Sequence, residues 1–318
     1  MPQSPQGRAG RRLGGRPGRR RRPPYAGVAA SCAGLLVAAV ALTGCGSPDG
    51  PGPDRTKAKT SQAPPPKPVW DRSPTSIAAV GDSITRGFDA CGILSDCPEV
   101  SWATGTDDGV RSLAMRLLGA PGVADHSWNY ARSGASVGEL PAQMAKVAVH
   151  KPDLVTVMMG ANDACKDEAE LMTPVAEFRT SFEESMRRLR AGAPKTQVYV
   201  ASVPDLKRLW SEGKDNPLGR QIWKLGICAS MLGDSQDMGA AAVERRATVQ
   251  SRVVAYNKVL EQVCAKDLRC RYDGGAVFDF RFTGDQLSTW DWFHPSKNGQ
   301  GKLADIAYRN VVAAKPPA

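Results

Sequence analysis

What most constrains this chain is a series of short apolar runs, each followed by a stretch of helical spacing. Ile77-Ala78-Ala79-Val80, Asp153-Leu154-Val155-Thr156-Val157-Met158-Met159 and Gln197-Val198-Tyr199-Val200-Ala201-Ser202-Val203 are too continuously apolar to be strands with one wet face. Strands of that kind have to be covered on both sides, which is the condition of a parallel sheet with helices above and below it. Residues 110–118, 137–149 and 174–189 carry apolar residues at helical intervals, and 243–263 and 298–312 read as two further helices. A second short strand is expected at Trp128-Asn129-Tyr130-Ala131 and a weak last one at Ala276-Val277-Phe278-Asp279. The pattern predicts one α/β domain over residues 76–318, with its ligand site beyond the carboxyl ends of the strands. No G-x-G-x-x-G or P-loop follows a strand, so nucleotide binding has no support.

Three of those strand ends carry polar residues that a core does not require. Gly81-Asp82-Ser83 ends the first, Ser133-Gly134 follows the second, Gly160-Ala161-Asn162-Asp163 follows the third, and Asp291-Trp292-Phe293-His294 comes far downstream. Each alone reads as a turn or a helix N-cap. Their order after successive strands is what the bland reading leaves unexplained.

Acyl transfer needs these residue types. A serine hydroxyl is a poor nucleophile without a general base within hydrogen-bond reach. The chain has three histidines: His126 precedes a strand, His150 ends a helix, and His294 alone has an aspartate, Asp291, three residues away to orient its ring. A tetrahedral intermediate then needs donors, which the backbone N–H groups of Ser83 and Gly134 and the Asn162 amide can supply. Asp82 and Asp163 read as structural caps. The nucleophile elbow G-x-S-x-G is absent, because glycine stands at 87 rather than 85.

Gly81-Asp82-Ser83, Gly134, Gly160-x-Asn162-Asp163 and Asp291-x-x-His294 resemble, in order, the four blocks of the SGNH (GDSL) hydrolases, across about residues 76–312. The resemblance implies a flavodoxin-like, doubly wound, five-stranded parallel sheet of order 2-1-3-4-5 in three α/β/α layers. It implies hydrolysis of esters or thioesters, or acyl transfer. Residue by residue it makes Ser83 nucleophile and oxyanion donor, Gly134 and Asn162 oxyanion donors, His294 the base and Asp291 its orienter. No cofactor and no metal is expected.

The N-terminus has the layout of an export signal. Residues 1–44 hold eight arginines and no acid, then an apolar segment. Leu42-Thr43-Gly44-Cys45 resembles the lipobox of bacterial lipoproteins, with Cys45 the lipidation site; an uncleaved anchor and plain secretion are the competing readings. The arginine pairs lack the surroundings of a twin-arginine signal. The net charge of +10 falls to +2 without those eight arginines, so it does not ask for nucleic acid. Residues 45–75, rich in Pro, Gly, Ser and Lys, read as the lipidated terminus and a disordered linker.

Cysteine usage agrees with export. Of eight cysteines, six fall in the domain: Cys91 and Cys97, and Cys264 and Cys270, are spaced to close local loops, which leaves Cys165 with Cys228. Zinc is the rival, with no C-x-x-C to favour it. Three disulfides also resemble the arrangement of secreted bacterial SGNH hydrolases.

The expected function is an extracellular serine esterase or lipase, monomeric, held at the outer face of the bacterial membrane and acting on a small-molecule or lipid ester. A cell-envelope carbohydrate O-acetylesterase or acyltransferase is the nearest alternative, and a non-catalytic lipid- or glycan-binding lipoprotein an alternative of another class. The irregular segment 205–246 stands open between an acyl-binding wall and a satellite core, as do Trp290 and Trp292 between pocket lining and packing.

Overall fold

The computed structural model describes residues 68–317; the arginine-rich leader, Cys45 and residues 46–67 lie outside the described residues. In chain order the elements are β1 (Ile77–Gly81), α1 (Ser83–Arg86), α2 (Leu113–His126), β2 (Ser127–Asn129), α3 (Leu140–His150), β3 (Leu154–Met158) and α4 (Ala161–Ala164). They continue with α5 (Val175–Gly192), β4 (Gln197–Val200), α6 (Leu206–Gly213), α7 (Pro217–Trp223), α8 (Ala229–Leu232), α9 (Ala240–Cys264), β5 (Cys270–Tyr272) and α10 (Lys297–Val312).

The five strands form one sheet in the order β2-β1-β3-β4-β5, and every pairing is parallel. That is the order and sense the resemblance implies. β1 and β3 run in full register from Ile77 beside Leu154 to Gly81 beside Met158, and each of their residues is buried, as continuous apolarity requires. α3, α5 and α9 pack side by side in one helical layer, and α2 packs on α10. On α5 the buried side chains Phe178, Phe182, Ser185, Met186 and Leu189 make a single stripe, so one face meets the core and the Arg- and Glu-rich face meets water.

The last strand is not where the sequence puts it. Residues 276–279 form a turn, not a strand, and the sheet ends instead on Cys270-Arg271-Tyr272. Val277 packs into the hydrophobic core from that turn, where its N–H donates to the Asp273 carboxylate. β5 lacks an apolar run since its central side chain, Arg271, is buried by donating to the carbonyls of Asn310 and Ala313 at the C-terminal end of α10 and by stacking on Trp70. Trp70 itself donates to the Val311 carbonyl, and Asp71 and Thr75 bond to Gln197 and Asp153. Residues 70–75, which composition places in the linker, are therefore docked on the domain.

Three disulfides close Cys91–Cys97, Cys165–Cys228 and Cys264–Cys270. Among the described residues no helix is long and apolar enough to cross a membrane.

Candidate active site

The tight end of β1 sets the position of Ser83. Gly81 has φ +150°, and a Cβ there would stand 2.3 Å from the Met158 carbonyl oxygen, so only glycine lets β1 turn this close to β3. Gln143, buried on α3, clamps that glycine from both sides: its Oε1 accepts the Gly81 N–H at 2.8 Å and its Nε2 donates to the Gly81 carbonyl at 2.9 Å. Asp82 caps α1 by accepting the Ile84 N–H, which makes Ser83 the first helical residue. On the far side Gln300 of α10 donates to the Ile84 carbonyl. Neither glutamine stands out in the sequence, because a buried amide on a helix has no spacing signature.

His294 reaches Ser83 from a closed loop. Leu287 and Pro295 form a β-bridge, Ser288 donates its N–H to the His294 carbonyl, and Trp292 turns the chain in the left-handed region at φ +53°. Asp291 does two jobs within that loop. Its Oδ1 accepts the N–H groups of Phe293 and His294, and its Oδ2 lies 2.5 Å from His294 Nδ1. His294 Nε2 lies 2.7 Å from Ser83 Oγ. The network therefore assigns the ring proton to Nδ1 and leaves Nε2 to accept from the serine hydroxyl. Burial pushes the Asp291 carboxyl upward, but the hydrogen bonds from the ring and from both backbone N–H groups outweigh it and hold it below its ordinary value.

The other two histidines stand elsewhere. His126 ends α2, and His150 stacks on Trp128 with ring centroids 4.6 Å apart.

The expected oxyanion donors come together at the same strand ends. Asn162 opens α4 after β3 and donates Nδ2 to the Ala135 carbonyl at 2.9 Å, which ties it to the loop that carries Gly134. Gly134 has φ +78°, with open space where a Cβ would be, so its backbone faces an unfilled side. Among the described residues, the N–H groups of Ser83 and Gly134 donate to no acceptor. Asp163 is fully buried and holds the layout in place by accepting from the Val137 N–H and the Thr173 hydroxyl. Burial keeps its carboxyl above the ordinary value against those two bonds.

One acidic residue at the site escaped the sequence reading. Asp89, 2% exposed and in the left-handed region at φ +56°, places its carboxyl within 4.8 Å of those of Asp291 and of the His294 ring. Burial and the facing charge of Asp291 hold it above its ordinary value, the expected outcome when two carboxyls share a dry site. It reaches this place because the Ser288 hydroxyl donates to its carbonyl and the Cys91–Cys97 loop folds back on it, a contact between distant parts of the chain. These three groups do not make a free ligand set, since both nitrogens of His294 are already engaged. Cys91, Cys97 and Glu99 also cluster, but both sulfurs there are spent in a disulfide.

The segment 205–246 both packs and lines the site. Leu206, Trp210, Trp223, Met231 and Leu232 are buried in the core. Leu206 and Leu209 also wall a narrow apolar pocket of about 40 Å³ that starts at Ser83 and Ile84 and continues past Phe282. Ile222, Leu225 and Ile227 wall a wider groove of about 500 Å³ on the His294 side. The Trp223 indole donates to the Asp291 carbonyl at 3.1 Å, and Trp292 packs over Gly219 of α7. Trp292 is therefore packing, whereas Trp290 lines the groove and is half exposed.

The fold is similar to that of a family 3 carbohydrate esterase of Clostridium thermocellum, at 17% identity and TM-score 0.45, over 74% of this chain and 93% of that one. It is also similar to an extracellular lipase of Streptomyces rimosus, at 18% identity and TM-score 0.39, over 73% and 99% of the two chains. A GDSL-like protein of Parabacteroides merdae aligns at 14% identity and TM-score 0.45, over 79% of this chain and all of that one. No curated protein sequence matches the chain. The model of the GDSL-like lipase/acylhydrolase family matches residues 77–307, from the first residue of β1 to within α10, and the chain belongs to that family of hydrolases.

Proposed function

We propose that the chain hydrolyses carboxylic esters through an acyl-enzyme, with Ser83 as nucleophile, His294 as general base and Asp291 as the residue that orients and charges-balances the ring. The observation that carries this reading is the unbroken line from Ser83 Oγ to His294 Nε2 at 2.7 Å and from His294 Nδ1 to Asp291 Oδ2 at 2.5 Å. As Oγ attacks the ester carbonyl, Nε2 takes its proton, and the imidazolium that forms is stabilised by the depressed Asp291 carboxylate. The carbonyl oxygen becomes an oxyanion that takes N–H bonds from Ser83, Gly134 and the Asn162 amide. Collapse of that intermediate breaks the ester C–O bond, with Nε2 returning the proton to the departing alcohol oxygen. Water then repeats the sequence on the acyl-serine, releases the carboxylic acid and restores the hydroxyl.

The proposal extends to the whole chain. Residues 1–44 act as a lipoprotein signal, Cys45 carries the lipid at the outer membrane face, and a short stalk leads to the hydrolase domain. The arginine-then-apolar order ahead of Cys45 and the three disulfides of the domain support that layout.

The test is turnover of p-nitrophenyl acetate by the purified chain and by Ser83→Ala. Turnover by the native chain, abolished in the variant with its thermal unfolding unchanged, is the expected result. Equal turnover by both would end the assignment of Ser83.

A further inference from the structure

Two clefts of different size leave the proposed catalytic line in different directions, and their placement bears on which side of an ester each receives. The narrow pocket of about 40 Å³ contains Ser83 itself and is walled by Ile84, Leu206, Leu209 and Phe282. That space is less than a tenth of the groove's, so of the two it admits only the smaller group. The groove of about 500 Å³ does not reach Ser83; it begins on the face formed by Asn162, Asp291, Phe293 and His294. Asn162, Phe293 and His294 border both spaces, so a molecule bound at the serine can enter both at once.

The chemistry of the proposed reaction fixes the orientation. The acyl carbon becomes bonded to Ser83 Oγ, so the acyl chain must lie where the serine is. The alcohol oxygen must receive its proton from His294 Nε2, which borders both spaces, and the groove is the one of the two that does not contain Ser83. The acyl chain therefore meets the narrow pocket and the alcohol meets the wide groove.

The groove is built for an uncharged apolar group. Its two banks are the Cys91–Cys97 loop, which offers Ile93 and Leu94, and the segment after α7, which offers Leu225 and Ile227. Ile93 is 62% exposed, Leu94 79% and Leu225 82%, and Trp290 at 46% closes one end. Large apolar side chains scattered singly over a surface are ordinary, but four exposed in one cleft beside reacting groups mark a binding surface. No lysine or arginine lines the groove among the described residues, and its acids, Asp89 and Asp291, are buried at the His294 end. A phosphate-bearing alcohol finds no cation there, and a sugar finds few partners for its hydroxyls.

From these placements we propose that the preferred substrate joins a short acyl group, of acetyl to butyryl size, to a bulky, uncharged, apolar alcohol held in the groove between the two disulfide-braced banks. The proposal rests on the ester-hydrolase reading of Ser83.

The experiment follows kcat/KM of the full chain on two series, p-nitrophenyl esters from acetate to palmitate and acetate esters from methyl to octyl. The expected result is a fall of about ten-fold or more beyond butyrate in the first, and a rise of about ten-fold from methyl to octyl in the second. Leu225→Glu and Ile93→Glu, both at exposed positions that tolerate charge in the fold, should each cut the octyl-to-methyl ratio at least about five-fold. Val243→Glu, at a 45% exposed site on α9 outside the groove, should leave that ratio unchanged. Hydrolysis of methyl acetate with a flat or falling alcohol series, or a preference for long acyl chains, overturns the proposal and leaves the ester-hydrolase reading standing. An unchanged octyl-to-methyl ratio in both groove variants overturns it too. Hydrolysis of neither series overturns the ester-hydrolase reading, and this proposal with it.

Discussion

The three disulfides differ in what they constrain, and the difference is large enough to measure. Cys165–Cys228 spans 63 residues of sequence, while Cys91–Cys97 and Cys264–Cys270 each span 6. In the chain-entropy account a cross-link stabilises by removing loop-closure freedom from the unfolded ensemble, and the effect grows with the logarithm of loop length. With those separations the long bridge contributes about 4 kcal/mol and each short one about 2 kcal/mol. The seam beside Cys165–Cys228 also has ties of its own. Ser230 donates its N–H to the Lys166 carbonyl and its hydroxyl to the Ala164 carbonyl, so the double variant Cys165→Ser/Cys228→Ser keeps its native path. Urea unfolding of that variant should show a loss of about 4 kcal/mol against about 2 kcal/mol for Cys91→Ser/Cys97→Ser. For a domain of this size the larger loss corresponds to a fall in Tm of roughly 8–16 °C. Equal losses for the two variants would refute the reasoning, since loop length would then not govern the effect and native packing around each bridge would.

Other substitutions test the site. Asp291→Asn keeps the acceptor for the Phe293 and His294 N–H groups but reverses the hydrogen bond to the ring, so kcat should drop by about 10⁴ while circular dichroism stays native. Asn162→Ala removes one proposed oxyanion donor and should lower kcat by about 10²–10³ with KM little changed, read from steady-state kinetics on p-nitrophenyl acetate. Asp82, whose Oδ2 is buried without a partner, is pushed by desolvation up to about 7. The folded state then holds a proton that the unfolded chain releases near its ordinary value of about 4, so stability must fall as pH rises between these two values. Urea titrations across that window should show the fall in the native chain and a shallower one in Asp82→Asn; a steeper one in the variant would reverse the sign of the argument.

The parts of this fold that show in the sequence are those whose burial is complete on both faces. β1, β3 and β4 are largely apolar because no part of them meets solvent, and the ends of β1, β2 and β3 carry Gly81, Gly134 and Gly160, where the backbone must do what a side chain would prevent. β5 does not show because Arg271 is accommodated by carbonyls contributed from α10, an arrangement that depends on the assembled fold. Arg246 is hidden from a sequence reading for the same reason, buried against the Trp210 ring with its guanidinium carbon 4.4 Å from the centroid. At the site, Ser83, Asp291 and His294 are legible from order and chemistry. Asp89, Gln143 and Gln300 are not, since their roles come from contacts across 62 to 216 residues of chain.

The hydrogen bond from Trp223 to the Asp291 carbonyl, together with the seat of Trp292 on Gly219, has a consequence for anyone who would retune this protein. The same short helix that steadies the acid–base loop leads directly into the bank of the groove at Leu225 and Ile227. On the proposed reading, substrate choice and turnover are thus mechanically coupled, and a library that randomises residues 217–227 should trade one against the other. The opposite bank is tied to the site as well, since the loop that carries Ile93 and Leu94 bonds Asp89 through Ser95, and Asp89 faces Asp291.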